Sequence, residues 1–333
     1  MPRRPLISVL VSTVGCNTSI AVIKSLRLTK RYRYKIIGVD MRQQHEAAGS
    51  VFCDRYFQVP PIGNKQYVRA LLAICKKEKV EVLLPVLDHD IEHIAKARSE
   101  FAAADIRVCA SDLPTIVACN DKFATYTFLK KRAIAVPRTY RAHEALQLIG
   151  NLRFPLFVKP RRGTSSVDCF QANNKQQLCV LLSRVDQPIV QALGQGQQCV
   201  IDVVNDLEGK NLVCVPRHEL SAKAGIGVKA VTVKDAALTS FAKQIAEALR
   251  IKGAANIEVF KQGKQLSLIE VNARYSAGVI LSAMAGVNIP ELAIDVFLNK
   301  PIAKTRLAWQ AGWFMSRYWQ EVFSRDKKIV VYR

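Results

Sequence analysis

The sequence predicts an α/β domain built on a parallel, doubly wound sheet, followed by two α+β lobes. Three observations carry this expectation. Strand-like and helix-like segments alternate through the first third of the chain, as βαβ units require. One of those strands, VEVLLPVLD (80–88), is apolar nearly throughout, as in a sheet covered on both faces. From about residue 113 the pattern changes to hairpins and separate helices, which suits two lobes with a short linker better than one sheet.

In order, LISVLVS (6–12) reads as the first strand and NTSIAVIKSLR (17–27) as a helix with a polar start. YKIIGVD (34–40) is the second strand, ending in Asp40. NKQYVRALLAICKKEK (64–79) is an amphipathic helix with Asn64 as its cap. Strand 80–88 follows, then the helix IEHIAKARSEFAAA (91–104) and a short strand, RVCAS. Beyond CNDKFATYTFLKKRAIAVPRTY, a helix and a proline-containing link, FPLFVKPRRGTSSVDCF reads as strand, basic Gly/Ser loop and strand. A helix (175–184), the strand PIVQAL and a strand pair around NDLEGKN come next. The helix DAALTSFAKQIAEALRI (235–251) precedes ANIEVFKQGKQLSLIEVNAR, a hairpin turning at QGK. There is no low-complexity tract and no internal repeat.

The chain has 333 residues, half of them hydrophobic, enough for two or three domains with substantial cores. No apolar run reaches the length of a membrane span. The opening MPRRPLISVLVSTVGCNTS has the outline of a secretory signal, but its apolar run is short and interrupted by Ser8 and Ser12, so a first strand is expected. Nine cysteines without a CxxC pair suit buried free thiols in a reducing, cytoplasmic compartment. His89 and His93, with Asp88, Asp90 and Glu92, allow a divalent site, but a polar strand end entering a helix is the expected reading. The net charge of +22 suits an acidic partner, such as an acidic polymer, or a solvated basic surface. No nucleic-acid module accompanies it. The turn after the first strand holds a single glycine, Gly15, so a dinucleotide site is poorly supported, and Asp40 reads as a strand-end cap or turn residue.

The chemistry concentrates late in the chain. Glu270, Asn272 and Arg274 alternate along one strand and so share a face. A row of acid, amide and guanidinium is expensive to bury unless it holds something. Glu258, on the preceding strand, reaches Glu270 across the hairpin. Two such close carboxylates repel unless a cation lies between them, and an all-oxygen donor set suits Mg²⁺ or Mn²⁺. The alternative is two exposed glutamates on a solvated hairpin. KPRRGTSSV (159–167) offers Lys159, two arginines and a small-residue loop whose N–H groups can wrap phosphate oxygens; the alternative there is a polar hairpin turn. Lys122, in CNDKFAT, is a second cation at a helix start.

Taken together, NDK, FVKP with its Gly/Ser loop, VQALGQGQQCVIDV, IEVF and IEVNAR resemble the ATP-grasp superfamily in order and spacing, over roughly residues 113–300. The branch they resemble is that of carboxylate–amine ligases related to the carbamoyl phosphate synthetase large subunit. The resemblance implies a Rossmann-like pre-ATP-grasp domain (1–112), a small lobe (113–187), a large lobe (188–305) and a tail (306–333) packed on the core. It implies ATP and Mg²⁺ (or Mn²⁺) as cofactors. Lys122 and Lys159 would contact phosphates, and the loop Arg161, Gly163, Thr164, Ser165 and Ser166 would close over them. Gln191, Ala192 and Leu193 would meet the adenine edge through the hinge strand, with Gln198 near the ribose. Glu258, Glu270 and Asn272 would hold the metal, and Arg274 would neutralise the transferring phosphoryl group. Arg217 and Lys223, in VCVPRHELSAKAG (213–225), would face the acyl phosphate; an exposed strand rim is the alternative for them. Met284, in the helix after the metal strand, would be core.

Two departures from that pattern stand out. Ala192 and Gln198 occupy positions where the family usually carries glutamates, which implies a weaker grip on the nucleotide. The expected function is an ATP-dependent carboxylate–amine (or thiol) ligase acting through an acyl phosphate on small-molecule acid and amine substrates, or on a surface polysaccharide or peptide, with no specific nucleic acid and no membrane span. A homodimer is compatible with this. The alternatives are a nucleotide-binding regulatory or scaffold protein on a degenerate ATP-grasp fold, and a basic nucleic-acid binder.

Overall fold

Leu6–Val11 forms strand β1, apolar and almost wholly buried, at the centre of a five-stranded sheet. Its partners are β2 (Arg33–Asp40), β3 (Arg55–Gln58), β4 (Val82–Leu84) and β5 (Arg107–Val108), in the order β3-β2-β1-β4-β5, all parallel. This is the doubly wound arrangement expected of a Rossmann-like domain. The computed structural model describes residues 4–164 and 166–330. Four strands follow as a small antiparallel sheet: β6 (Thr139–Arg141), β7 (Leu156–Pro160), β8 (Phe170–Ala172) and β9 (Pro188–Ala192), ordered β6-β9-β7-β8. Leu156, Val158, Leu178 and Val190 make its own small core.

The third sheet is the largest and wholly antiparallel. It contains β10 (Gln197–Asn205), β11 (Asn211–Lys223), β12 (Ile226–Thr232), β13 (Gly253–Gln262), β14 (Gln265–Asn272) and β15 (Phe314–Ser316). Their order is β14-β13-β10-β11-β12-β15. Helix Asn17–Leu28 of the first domain packs on helices Val279–Met284 and Ile289–Phe297, so Val22, Ile23 and Leu26 share a core with Val287, Leu292 and Val296. Each such fully buried aliphatic side chain contributes about 1.5–3 kcal/mol. That shared core fixes the loops of the first domain against the large sheet.

Local differences from the sequence reading have local causes. Helix 64–79 begins later, at Tyr67, because the Asn64 side chain accepts the Gln66 N–H at 2.8 Å and forms a turn ahead of the helix. Strand pairing in 80–88 stops at Leu84, and Asp88 opens the helix Asp88–Lys96. The expected helix 91–104 is two, Asp88–Lys96 and Arg98–Ala102, broken at Ala97. Asp40 caps the turn after β1, its carboxylate accepting the Gly15 N–H at 2.8 Å and the Arg42 N–H at 3.1 Å. Met284 is not core but 44% exposed. In the tail, β15 adds the sixth strand to the large sheet, and β16 (Phe323–Arg325) with β17 (Lys328–Val330) forms a separate hairpin. All nine cysteines are free. Among the described residues no helix is long and apolar enough to cross a membrane.

Candidate active site

The register of the large sheet brings its polar side chains into one row. Glu270 pairs with Glu258, Glu258 with Val200, and Val200 with Arg217, across β14, β13, β10 and β11. The two glutamates are therefore direct cross-strand neighbours on one face. A β-bulge makes this possible. Glu258 pairs with Glu270 but Val259 pairs with Leu268, leaving Ile269 as the extra residue. The extra residue reverses the side-chain parity of β14. Leu268 stays buried with Val259, whereas Glu270 and Asn272 turn to the polar face.

The bulge also frees the Ile269 carbonyl for tertiary use. It accepts hydrogen bonds from Lys159 Nζ at 3.0 Å and from the Tyr126 hydroxyl. Lys159, at the end of β7, is only 3% exposed. Burial pushes its ammonium below the usual lysine range, against the attraction of Glu270. Lys122, at the start of helix Lys122–Lys130, donates to the Gly163 carbonyl at 2.7 Å and lies 3.5 Å from Glu270. It thus ties the Gly/Ser loop to the acidic pair.

Asn272 donates through Nδ2 to Glu270 at 3.1 Å and to Glu258 at 3.4 Å, while its oxygen accepts from Arg274 at 3.3 Å. Its ligating oxygen thus faces Arg274 rather than the acids, and metal coordination through it needs a half-turn of the amide. The pair titrates as a unit. Burial and then Glu270 raise the Glu258 carboxyl above the usual range. Burial acts on Glu270 too, but Lys122, the Asn272 hydrogen bond, Lys159 and Arg274 outweigh it and hold that carboxyl low. Two carboxylates forced together in this way fit a divalent cation, which would relieve their repulsion.

Two cavities meet at this pair. The first, about 210 Å³, lies between the small and large sheets. Its walls include Lys122, Lys159, Phe157, Phe260, Leu268 and the loop residues Gly163, Thr164 and Ser166, with Gln191, Ala192, Leu193 and Gln198 along the hinge. Gln191 is buried, its side chain bonded to Tyr126 and Thr139. Gln198 donates to Glu258 at 3.4 Å. Gly194 lets the backbone approach the Phe260 ring closely, since a Cβ there would meet Phe260 at 2.3 Å. The second cavity, about 440 Å³, lies between the large sheet and the loops of the first domain. Glu258 and Glu270 line both. Arg217 and Arg274 line the second only.

Most of the expected site residues gather here, and three outcomes differ. Arg161 does not line either cavity; its guanidinium pairs with Asp121, with Nε donating at 2.8 Å. Lys223 is exposed at the end of β11, lies over the Trp319 ring and lines neither cavity. Ser165 lies outside the described residues. Arg217 is buried, bound to Asp202 and Glu219 at 2.7 Å each and to Ser276 at 3.2 Å. Arg274 is gripped by Asp88, its Nε 2.9 and 3.0 Å from the two carboxylate oxygens. The sequence reading did not single out Tyr126 or Glu219. Tyr126 carried no local signal, but the alternation of Arg217 and Glu219 on β11 is the same sign that marked Glu270 and Asn272.

A large antiparallel sheet and a small one closing on a lysine-lined cavity, behind a parallel domain, define the ATP-grasp fold. Comparison with known proteins agrees. Residues 184–316 match the family "ATP-grasp in the biosynthetic pathway with Ter operon" and residues 9–109 match "PylC-like, N-terminal domain". Similar solved structures include biotin carboxylase from Campylobacter jejuni (TM-score 0.73, 14% identity, 91% of this chain and 73% of that one). Another is N5-carboxyaminoimidazole synthetase from Staphylococcus aureus (TM-score 0.69, 13% identity, 91% and 80%). Among curated proteins, the carbamoyl phosphate synthase large chain of Clostridium acetobutylicum is 23% identical over 70% of this chain and 24% of its own length. The vancomycin/teicoplanin A-type resistance protein VanA of Enterococcus faecium is 25% identical over 58% and 64%. The chain spans about a quarter of the carbamoyl phosphate synthase large chain. The chain thus joins a PylC-like N-terminal domain to an ATP-grasp domain.

Proposed function

We propose that this chain is an ATP-dependent carboxylate–amine (or thiol) ligase working through an acyl phosphate. The observation that carries the reading is the Glu258–Glu270 pair, set between a cavity with two lysines and a second cavity with two arginines. The first cavity suits a nucleotide: Phe157, Phe260 and Leu268 offer an apolar wall for a flat base, and Lys122 and Lys159 offer charge for phosphates. Glu258 and Glu270, with Asn272 after rotation of its amide, would hold Mg²⁺. When bound, Mg²⁺ would offset charge on the transferring phosphoryl group. Arg274 faces the second cavity and would stabilise the same charge from the other side. An acid bound there attacks the terminal phosphorus through a carboxylate oxygen and releases ADP. The acceptor then displaces phosphate from the acyl carbon. Closure of the small lobe over the pair would keep water from such an intermediate. Two structural neighbours support the reading: the Campylobacter jejuni biotin carboxylase is a β,γ-ATP complex, and the biotin carboxylase domain of Hydrogenobacter thermophilus 2-oxoglutarate carboxylase is a complex with MgADP and bicarbonate. The latter is a domain dimer, which supports a homodimer here.

The test is release of ADP and phosphate from Mg-ATP across pooled carboxylates and amines, with Glu270→Gln as control. Turnover that needs an acid and falls by about 100-fold or more in the variant is expected. Absence of Mg-dependent nucleotide binding would overturn the reading.

A further inference from the structure

The second cavity contains one polar group that nothing among the described residues satisfies. Glu219 Oε1 accepts a hydrogen bond from Arg217 Nε at 2.7 Å, but Oε2 has no hydrogen-bond partner among the described residues. The side chain is only 6% exposed, and the residue lines the cavity. A buried carboxylate oxygen without a donor is costly, so its retention points to a ligand that donates to it.

Its charge is unmatched as well. Arg217 is neutralised by Asp202, whose own oxygens also accept from Ser276 and Ser282 at 2.7 Å each. Arg274 is neutralised by Asp88. Glu219 therefore shares a cation that is already paired, in a cavity that also holds Glu258 and Glu270. Arg317 is the competing partner: its Nε is also unpartnered, but its Nη2 donates to the Ala277 carbonyl and no described ion pair joins it to Glu219. The backbone has made room for the free oxygen. A Cβ on Gly227, which lies on β12 opposite Ala222, would be 1.8 Å from Glu219 Oε2.

We propose that Glu219 is the contact for the acceptor amine, binding it as an ammonium group and taking its first proton. This rests on the ligase reading above. An amine enters at neutral pH mostly as R–NH₃⁺ and cannot attack until it loses a proton. Transfer of that proton to Glu219 Oε2 leaves R–NH₂, whose lone pair forms the C–N bond at the acyl carbon. The C–O bond to phosphate breaks and the phosphate leaves with the electron pair. The second nitrogen proton goes to the departing phosphate, giving amide, HPO₄²⁻ and protonated Glu219. The acceptor class is thus a primary amine rather than a thiol or an anion.

The probes are methylammonium chloride as amine and sodium acetate as acid, titrated by NMR into the full chain with and without Mg-ADP. Saturable methylammonium binding to the wild type is expected, weakened about tenfold or more in Glu219→Gln, with acetate binding unchanged. Gly227→Ala should also weaken the amine, because it displaces the oxygen without touching Arg217. Methylammonium binding equally to wild type and Glu219→Gln overturns the proposal, as does no methylammonium binding to the wild type. A fall in melting temperature of more than about 5 °C in Glu219→Gln, against a near-wild-type Arg317→Ala, also overturns it, because Glu219 would then be a structural anchor for Arg217. Mg-ADP binding in the same samples separates the two readings: its failure removes the ligase assignment, whereas the amine comparison without nucleotide judges Glu219 alone.

Discussion

Asp88 and Arg274 form a two-pronged ion pair, with Arg274 Nε 2.9 and 3.0 Å from the carboxylate oxygens. Asp88 opens a helix of the parallel domain, and Arg274 follows the strand that carries Glu270 and Asn272. The pair therefore couples the first domain to the acidic row. Both side chains are largely buried, so breaking the pair leaves a poorly solvated guanidinium beside Asn272. Asp88→Asn should lower stability by about 2–3 kcal/mol in urea unfolding, and it should lower turnover more than nucleotide affinity. A loss below about 0.5 kcal/mol would mark the pair as a surface clip instead.

Gly194→Ala tests the wall of the first cavity. The new Cβ would press on the Phe260 ring, which must tilt into the cavity. Because only a side chain needs to move, the fold should hold while Mg-ADP affinity falls about tenfold by calorimetry. Unchanged affinity would show that Phe260 does not contact the nucleotide.

The acid limb of stability should report on Asp121. This residue caps helix Lys122–Lys130 through the Ala124 N–H at 3.0 Å and pairs with Arg161. Burial opposes its ionisation, but the Arg161 hydrogen bond, the Ala124 N–H and the charges of Arg161 and Arg162 hold it below the usual aspartate range. A carboxyl lowered in the folded state contributes stability that is present above its unfolded pKa of about 3.9 and is lost as pH falls through the folded value. Asp121→Asn should therefore lose about 1 kcal/mol at pH 7 and show a flatter decline than wild type below about pH 4. Parallel curves for the two proteins would contradict this.

Much of the site was legible because strand geometry is local. Alternation alone put Glu270, Asn272 and Arg274 on one face, and the short turn at Gly263 brought Glu258 near Glu270, but the bulge that makes the two direct partners left no mark in the sequence. Long cationic side chains were less legible. Arg161 lies in a Gly/Ser loop that suggests phosphate and Lys223 on a strand that resembles a substrate-facing one, yet tertiary neighbours decide where their charges go: Asp121 takes the first and the Trp319 ring the second. Asp88 looked like a strand end because its partner lies 186 positions away. Glu219 carried the alternation signal with Arg217, but its unsatisfied oxygen is visible only when its neighbours have been placed.

The bulge at Ile269 is the feature on which the site depends most, and it can be removed. Deleting Ile269 would leave Leu268 and Glu270 consecutive, facing Val259 and Glu258, so the ladder would become regular with every pair preserved. Sheet regularity alone predicts a neutral or stabilising change. The Lys159 ammonium would, however, lose its carbonyl acceptor, and Tyr126 would lose the same partner. A buried ammonium left with only the Tyr126 hydroxyl, 3.3 Å away, costs about 1–3 kcal/mol. The deletion should therefore destabilise the protein by that amount and weaken nucleotide binding. Adding Lys159→Met should restore stability but not binding, because methionine fills the buried path without needing an acceptor. Denaturant unfolding and Mg-ADP titration of the single and double variants would measure both. Recovery of binding in the double variant would show that Lys159 serves the packing of the cavity and not its ligand.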